Sequence, residues 1–297
     1  MLPLTGSIKV LSANCQGLRT YEKRMDVLSY MKDTGASIVC LQDTHLTERD
    51  INSMKQIWPN CYLHGYRNNA RGVAVLFNNN FEYTVREVNK DEHGNWLQLK
   101  ITISNIDINL ITLYAPNQDN PAFFENIKNL AEFSETEHTL ICGDFNLVLD
   151  PIKDCYNYKT LNNPRSRQKV LELVNELNFI DVFRHLHPNQ KRYSWRKKNP
   201  IKQARLDYFL ATNPMTDIIE KCSINPSYRS DHSCIELQIC LNSFKQGKGL
   251  WKFNNSLLEN KSYLDLVNNI IKEEKLCMHC LCITLIMWNK MTISKCQ

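Results

Sequence analysis

Short apolar runs alternate with amphipathic stretches along this chain, and many of the runs stop abruptly at a polar residue. Ile8 to Ala13 reads as a strand, closed by Asn14-Cys15-Gln16-Gly17. Tyr21, Met25 and Leu28 then recur at helical spacing, with Gly35 as a stop. Ser37 to Leu41 is a second buried strand that ends in Gln42-Asp43-Thr44-His45. Val73 to Phe77, Phe81 to Val88, Trp96 to Ile103 and Ile106 to Tyr114 read as successive antiparallel strands joined by Asn- and Gly-containing turns. Asn120 caps a helix with Pro121 at its first position, and Phe123, Ile127, Leu130 and Ala131 form its apolar face.

The second half repeats the alternation. Thr139 to Cys142 is a strand, and a loop rich in Asp, Asn, Pro and Tyr runs to about Pro164. Val170, Leu173, Val174 and Leu177 mark another amphipathic helix. Tyr193-Ser-Trp195, Arg205 to Ala211 and Cys234 to Cys240 read as later strands. Two halves of strands followed by helices predict two packed mixed sheets with helices outside, one domain over 1–240, and a change of composition after it.

Polar residues at the strand ends carry the candidate chemistry: Asn14, Asp43, Tyr114, Asp144 with Asn146, Asp207, and Ser230-Asp231-His232. Singly, each has a structural reading. Asn14 suits a turn, Tyr114 a core tyrosine with a wet hydroxyl, Asp207 a partner for Arg205, and His232 a satisfied histidine. At similar topological positions, where open α/β sheets carry their sites, the set fits phosphodiester hydrolysis. One carboxylate binds a hard cation through oxygen, another activates water, and histidine, amide and hydroxyl groups stabilise the phosphate.

Composition narrows this only a little. The 297 residues are 43% hydrophobic and 23% charged with a net charge of +5, which permits an anionic partner without requiring one. The 12 cysteines lie scattered through apolar runs without a disulfide framework, and no apolar run reaches the length of a membrane span. The expectation is a monomeric intracellular protein without a membrane segment or an obligate protein partner.

Gln42-Asp-Thr-His45, Leu113-Tyr-Ala-Pro116, Gly143-Asp-Phe-Asn146, Tyr193-Ser-Trp195, Arg205-Leu-Asp-Tyr208 and Ser230-Asp-His232 together resemble the endonuclease/exonuclease/phosphatase superfamily, in particular the apurinic-like endonuclease domain of LINE-type (non-LTR) retrotransposons. The resemblance covers residues 8 to about 240. It implies a DNase I-like four-layer α/β sandwich and a Mg²⁺-dependent endonuclease, with Mn²⁺ as a substitute, that nicks double-stranded DNA and leaves a 3′-hydroxyl for reverse transcription. It implies nuclear access for such a protein. It implies catalytic roles for Asp144, His232, Asn146, Tyr114 and Asp207, and a metal region of Asp43, Asn14 and Asp231. Asp144 would activate water, Tyr114 and His232 would contact the phosphate, and Asp207 would pair with His232. Ser194 and Ser230 would belong to the DNA-facing rim. Asp43 stands where the family has glutamate, a carboxylate shorter by about 1.5 Å. The alternatives are a catalytically impaired nucleic-acid-binding remnant and a superfamily phosphodiesterase acting on phosphoinositides or sphingomyelin.

Lys191, Arg192, Arg196, Lys197, Lys198, Lys202 and Arg205 form the densest basic stretch, around Tyr193 and Trp195. Between catalytic-type motifs it reads as DNA-backbone contact, with Arg165 and Arg167 assisting. After residue 241 comes a linker, and Gly249 to Leu258 resembles the segment that leads into reverse transcriptase in such elements. Tyr263 to Glu274 reads as a helix and 241–297 as a truncated tail. Cys277, His279, Cys280 and Cys282 lack a second pair at zinc-finger spacing.

Overall fold

A computed structural model describes residues 7–241, apart from 67–69, 133, 135, 137 and 159, together with 261–262 and 264–265. The chain divides into two compact units, Met1–Phe244 and Lys245–Gln297. In the second, the four described residues are helical and exposed. The rest of the expected Tyr263 to Glu274 helix and the Cys277–Cys282 cluster lie outside the described residues.

In the first unit, β1 (Ile8–Asn14), β2 (Ile38–Gln42), β3 (Cys61–His64) and β4 (Val73–Phe77) are interleaved with α1 (Tyr21–Asp33) and α2 (Ile51–Ile57). There follow β5 (Thr84–Lys90), β6 (Trp96–Ile103), β7 (Ile106–Tyr114), α3 (Pro121–Glu132), β8 (Thr139–Asp144), β9 (Cys155–Tyr156), α4 (Pro164–Glu176), β10 (Phe179–Asp181) and α5 (Val182–Leu186). The last strands are β11 (Trp195–Lys197), β12 (Lys202–Ala204), β13 (Asp207–Thr212), β14 (Ile219–Asn225) and β15 (Cys234–Ile239).

These make two six-stranded mixed sheets, in the orders β14-β15-β1-β2-β4-β3 and β10-β13-β8-β7-β6-β5, and a small sheet β11-β12-β9. Alternation along each strand divides the core into layers. Val10, Ile38 and Val75 of the first sheet meet Leu99, Leu110 and Leu140 of the second between them. The opposite faces are covered by helices: Leu28, Met31 and Met54 of α1 and α2 pack on Leu11, Val39 and Leu76. Phe124, Ile127, Val170 and Leu173 of α3 and α4 pack on Ile111, Ile141 and Leu210. The expected helix–sheet–sheet–helix sandwich is therefore the observed fold.

Several local readings change. Phe81 and Tyr83 do not open a strand. Tyr83 stacks on Phe77 at 3.8 Å between ring centres and Phe81 stacks on Tyr83, so the strand begins only at Thr84. That strand is the charged edge of its sheet, with Arg86, Glu87 and Lys90 facing outward, a composition that discourages edge-to-edge pairing. Tyr193 and Ser194 precede β11 instead of forming it, and Arg205 lies outside β13 because its N–H donates to Asp154 O. The short β3 and the edge strand β14, whose Cys222 and Ile224 point inward, were not anticipated.

Candidate active site

The site follows from strand direction. β7 and β8 run parallel, and their register sets Tyr114 beside Asp144 at the carboxyl ends. β13 runs antiparallel to β8 and starts with Asp207 opposite Asp144. Three neighbouring strands thus offer Tyr114, Asp144 and Asp207 in one row. In the other sheet, parallel β1 and β2 set Asn14 beside Gln42, and Asp43 follows directly. Asn14 Nδ2 donates to Asp144 Oδ2 (2.9 Å) and so ties one sheet to the other. The row needs Gly143: its φ is +136°, and a Cβ there would stand 1.9 Å from Leu113 O.

His232 completes the row. Its Nδ1–H donates to Asp207 Oδ2 (2.9 Å), and its Nε2 stands 3.7 Å from Asp144 Oδ2. Burial disfavours the imidazolium, but Asp207 and then Asp144 outweigh it and push the pKa up to about 10. His232 is therefore a cation at neutral pH, with Nε2–H free to donate. Asp144 is 1% exposed, and burial raises its carboxyl to about 7 against the pull of His232. A base that titrates near neutrality suits abstraction of a proton from water.

Around this pair stand the amides and the phenol. Asn146 adopts a left-handed φ of +50°, donates its N–H to Asp144 Oδ1 and sends Nδ2 to Ala115 O. Asn117 and Asn146 stand close to the Tyr114 hydroxyl, and burial, Asp43 and Asp144 raise its pKa, so it remains a proton donor. Asn117 was not singled out from sequence. Its signal was there, three residues beyond Tyr114 in the same strand-end loop, but asparagine in a Pro-Asn-Gln turn is ordinary.

Asp43 follows β2 with φ +52°, and His45 Nε2 lies 2.9 Å from its Oδ1. Burial raises the Asp43 carboxyl, opposed by His45. The donor set fits a hard divalent cation. Asp144, Asp207 and His232 each bring an atom within 4.8 Å of the others, but a protonated histidine has no lone pair to offer. What remains is carboxylate oxygen, including Asp207 Oδ1, which is buried without a hydrogen-bond partner among the described residues. Asn14 serves by hydrogen bonds, its Oδ1 accepting from Gln16 N–H. Asp231 is more exposed. Its Oδ2 accepts from Trp195 Nε1, and its Oδ1 is 4.0 Å from His232 Nε2.

Two expectations about the DNA-facing residues are corrected. Ser194 is fully buried, not on a rim. Its Oγ accepts the N–H groups of Leu206 and Asp207, and its carbonyl accepts Ser233 N–H, so it clamps the segments carrying Asp207 and His232 together. Arg205 is 1% exposed and belongs to an internal ion cluster with Asp154 and Asp181, so it is no backbone contact and no partner of Asp207. Ser230 is partly exposed and donates to Asn14 O. Arg192, Arg196, Lys197 and Lys198 are exposed and Lys202 half-buried, its ammonium 5.7 Å over the Tyr158 ring. Arg196 N–H donates to Asp231 O and Trp195 bridges to His232, which fastens the basic hairpin to the histidine segment. Arg165 pairs with Asp119, and Arg167 bonds Leu149 O.

The model of the Endonuclease/Exonuclease/phosphatase family matches residues 11–232. A 149 kDa protein of transposon TX1 from Xenopus laevis is 26% identical over 89% of this chain, which spans only 20% of that protein. An exodeoxyribonuclease of Bacillus subtilis is 27% identical over 78% of this chain and 99% of its own length. The crystal structure of an AP endonuclease from Leishmania major superposes with a TM-score of 0.67 at 18% identity, over 79% of this chain and 88% of that one, and shows the same fold.

Proposed function

From the premise that the chain belongs to the endonuclease/exonuclease/phosphatase family, we propose that it is a Mg²⁺-dependent endonuclease that hydrolyses phosphodiester bonds of double-stranded DNA, leaving a 3′-hydroxyl, in the manner of retrotransposon target-site nicking. The observation that carries the reading is the single row Tyr114–Asp144–Asp207 closed by a cationic His232. Asp144, fixed by Asn14 and Asn146, takes the proton of the attacking water. His232, held by Asp207, donates Nε2–H to a phosphate oxygen as charge builds there, and the Tyr114 hydroxyl and Asn117 add donors beside it. Asp43 would hold Mg²⁺, which would supply Lewis-acid neutralisation of the phosphate.

Supports for DNA are the exposed Arg192, Arg196, Lys197 and Lys198, in the segment that Trp195 and Arg196 fasten to residues 231–232, and the name of the exodeoxyribonuclease relative. The transposon setting of this reading is supported by the TX1 relative, a transposon protein. The test is nicking of supercoiled plasmid with Mg²⁺ by the protein, Asp144→Ala and His232→Ala. Nicking by the parent and not by either variant supports the reading. No nicking by a folded parent overturns it, and cleavage of a small phosphodiester alone would move the substrate away from DNA.

A further inference from the structure

Tyr114 is not held by its strand alone. Where β7 ends, Asn95 closes on it from the Asp91–Asn95 loop. Tyr114 N–H donates to Asn95 O (2.7 Å) and Asn95 Nδ2 donates to Tyr114 O (2.8 Å), so both backbone polar groups of Tyr114 are engaged by one residue. Asn95 is itself buried and fixed from the other side. Its Oδ1 accepts from Arg71 Nη1 (3.0 Å) and its N–H donates to Asp91 Oδ1 (2.9 Å). Asp91 Oδ1 meets the buried His64 of β3 at 2.9 Å. On the Arg71 side, His45 N–H donates to Arg71 O and Thr44 N–H to Gly72 O, while Gly72 N–H donates to Gly94 O. A short polar chain thus runs from the turn carrying Asp43, through Arg71 and Asn95, to Tyr114.

We propose that Asn95 is a positioning residue, which sets the Tyr114 hydroxyl against the substrate phosphate and holds Tyr114 at a fixed distance from the Asp43 turn. The proposal rests on the reading that Tyr114 contacts the scissile phosphate. A fork that grips the N–H and the C=O of one residue restrains the peptide on each side of it, and rotation of Tyr114 between those two peptides is what would swing the phenol. The neighbouring strand end has no such fork: Asp144 is oriented through side-chain and backbone bonds from Asn14 and Asn146. Tyr114 receives the equivalent constraint from a loop between β5 and β6 that carries no catalytic residue.

The test is a double-mutant cycle with a spectroscopic readout. Asn95→Ala removes the side-chain arm of the fork and the bond from Arg71, and keeps the backbone bond to Tyr114 N–H. Asn95→Asp keeps its size and the Arg71 bond but replaces the donor facing Tyr114 O by an acceptor. With Mg²⁺ and plasmid or oligonucleotide duplex, Asn95→Ala is expected to lower kcat by about tenfold to a hundredfold while KM moves less than about twofold, the signature of a misplaced contact. In a Tyr114→Phe background the same change is expected to cost less than about threefold, because its target hydroxyl is gone. An equal loss in both backgrounds would mean that Asn95 serves the fold at large, and would overturn the proposal. Independently of activity, the ¹³Cζ resonance of Tyr114, identified by its loss in Tyr114→Phe, is expected to shift in Asn95→Ala and Asn95→Asp. An unmoved resonance overturns the proposal. Absence of cleavage by the parent overturns the endonuclease reading instead and leaves the resonance to decide the role of Asn95.

Discussion

Two buried charge clusters lie two residues apart along the chain and have opposite characters. Arg205 donates to both oxygens of Asp154 and both of Asp181, and Arg184 adds a bond to Asp154 Oδ1. Every carboxylate oxygen there is engaged. Asp207, just beyond, belongs to the other kind. Its Oδ1 has no hydrogen-bond partner among the described residues, its neighbour Asp144 is pushed up to about 7, and His232 up to about 10. The first cluster joins the small sheet to the main one, and its charges cancel at close range. The second keeps unspent hydrogen-bonding capacity and negative charge facing the strand ends. Burial alone does not mark a site; burial with an unsatisfied remainder does.

The contrast breaks most sharply at Asp144. Asp144→Ala is expected to lower the nicking rate by about a thousandfold, within the usual range for a lost general base, and differential scanning calorimetry should show a Tm no lower than the parent's. Arg205→Ala should do the reverse, costing about 3–5 kcal/mol of stability because it strands two buried carboxylates, measured by urea unfolding. Equal stability losses in both variants would erase the distinction.

The titrations sharpen it next. The folded state holds a proton on Asp144 up to about pH 7, whereas the unfolded carboxyl releases it near 3.8. Stability from this group is therefore present at low pH and falls as pH rises from about 4 to 7. His232, raised from 6.5 to about 10, contributes stability that is complete below 6.5 and is lost as pH climbs through 10. In EDTA, Tm should decline across both windows, and Asp144→Asn should flatten the lower one. A Tm that rises between pH 4 and 7 in EDTA would contradict the assignment of Asp144.

Smaller effects remain. Asp43→Glu restores a longer reach and should raise nicking at low Mg²⁺ by about threefold to tenfold, the range of a modest gain in metal affinity, with tighter Mn²⁺ binding by calorimetry. Lys197→Ala and Lys198→Ala should each reduce the slope of log K against log salt for duplex binding by about 1, without sequence preference.

The pattern of strand ends was readable because it is local. A buried run that stops at Asn14, Tyr114 or Asp144 announces both the strand and the residue that leaves it. What sequence did not disclose depends on partners far along the chain. Arg205 looks like one more cation in a basic stretch, yet Asp154 and Asp181 lie 51 and 24 residues away and draw it inside. Ser194 sits in a motif whose neighbours are exposed, but the N–H groups it accepts belong to residues 206 and 207. Phe81 and Tyr83 have strand-like alternation, and only their stack on Phe77 removes them from the ladder. Asn117 and Asn95 act through a tyrosine whose position no composition reveals.

The pairing of β1 with both β2 and β15 has a consequence for biosynthesis. The first strand completes its sheet only when the last one has been made, and Ser230 reaches back to Asn14 across 216 positions. At about 5–20 residues per second, a ribosome needs on the order of 10–50 s between those two strands. Throughout that interval the nascent chain exposes one edge of β1 and has neither His232 nor the Ser194 clamp, so it carries no assembled centre. The ordering is a built-in delay: the site has no chemistry until the final closure, when the last strand of the sheet docks on the first.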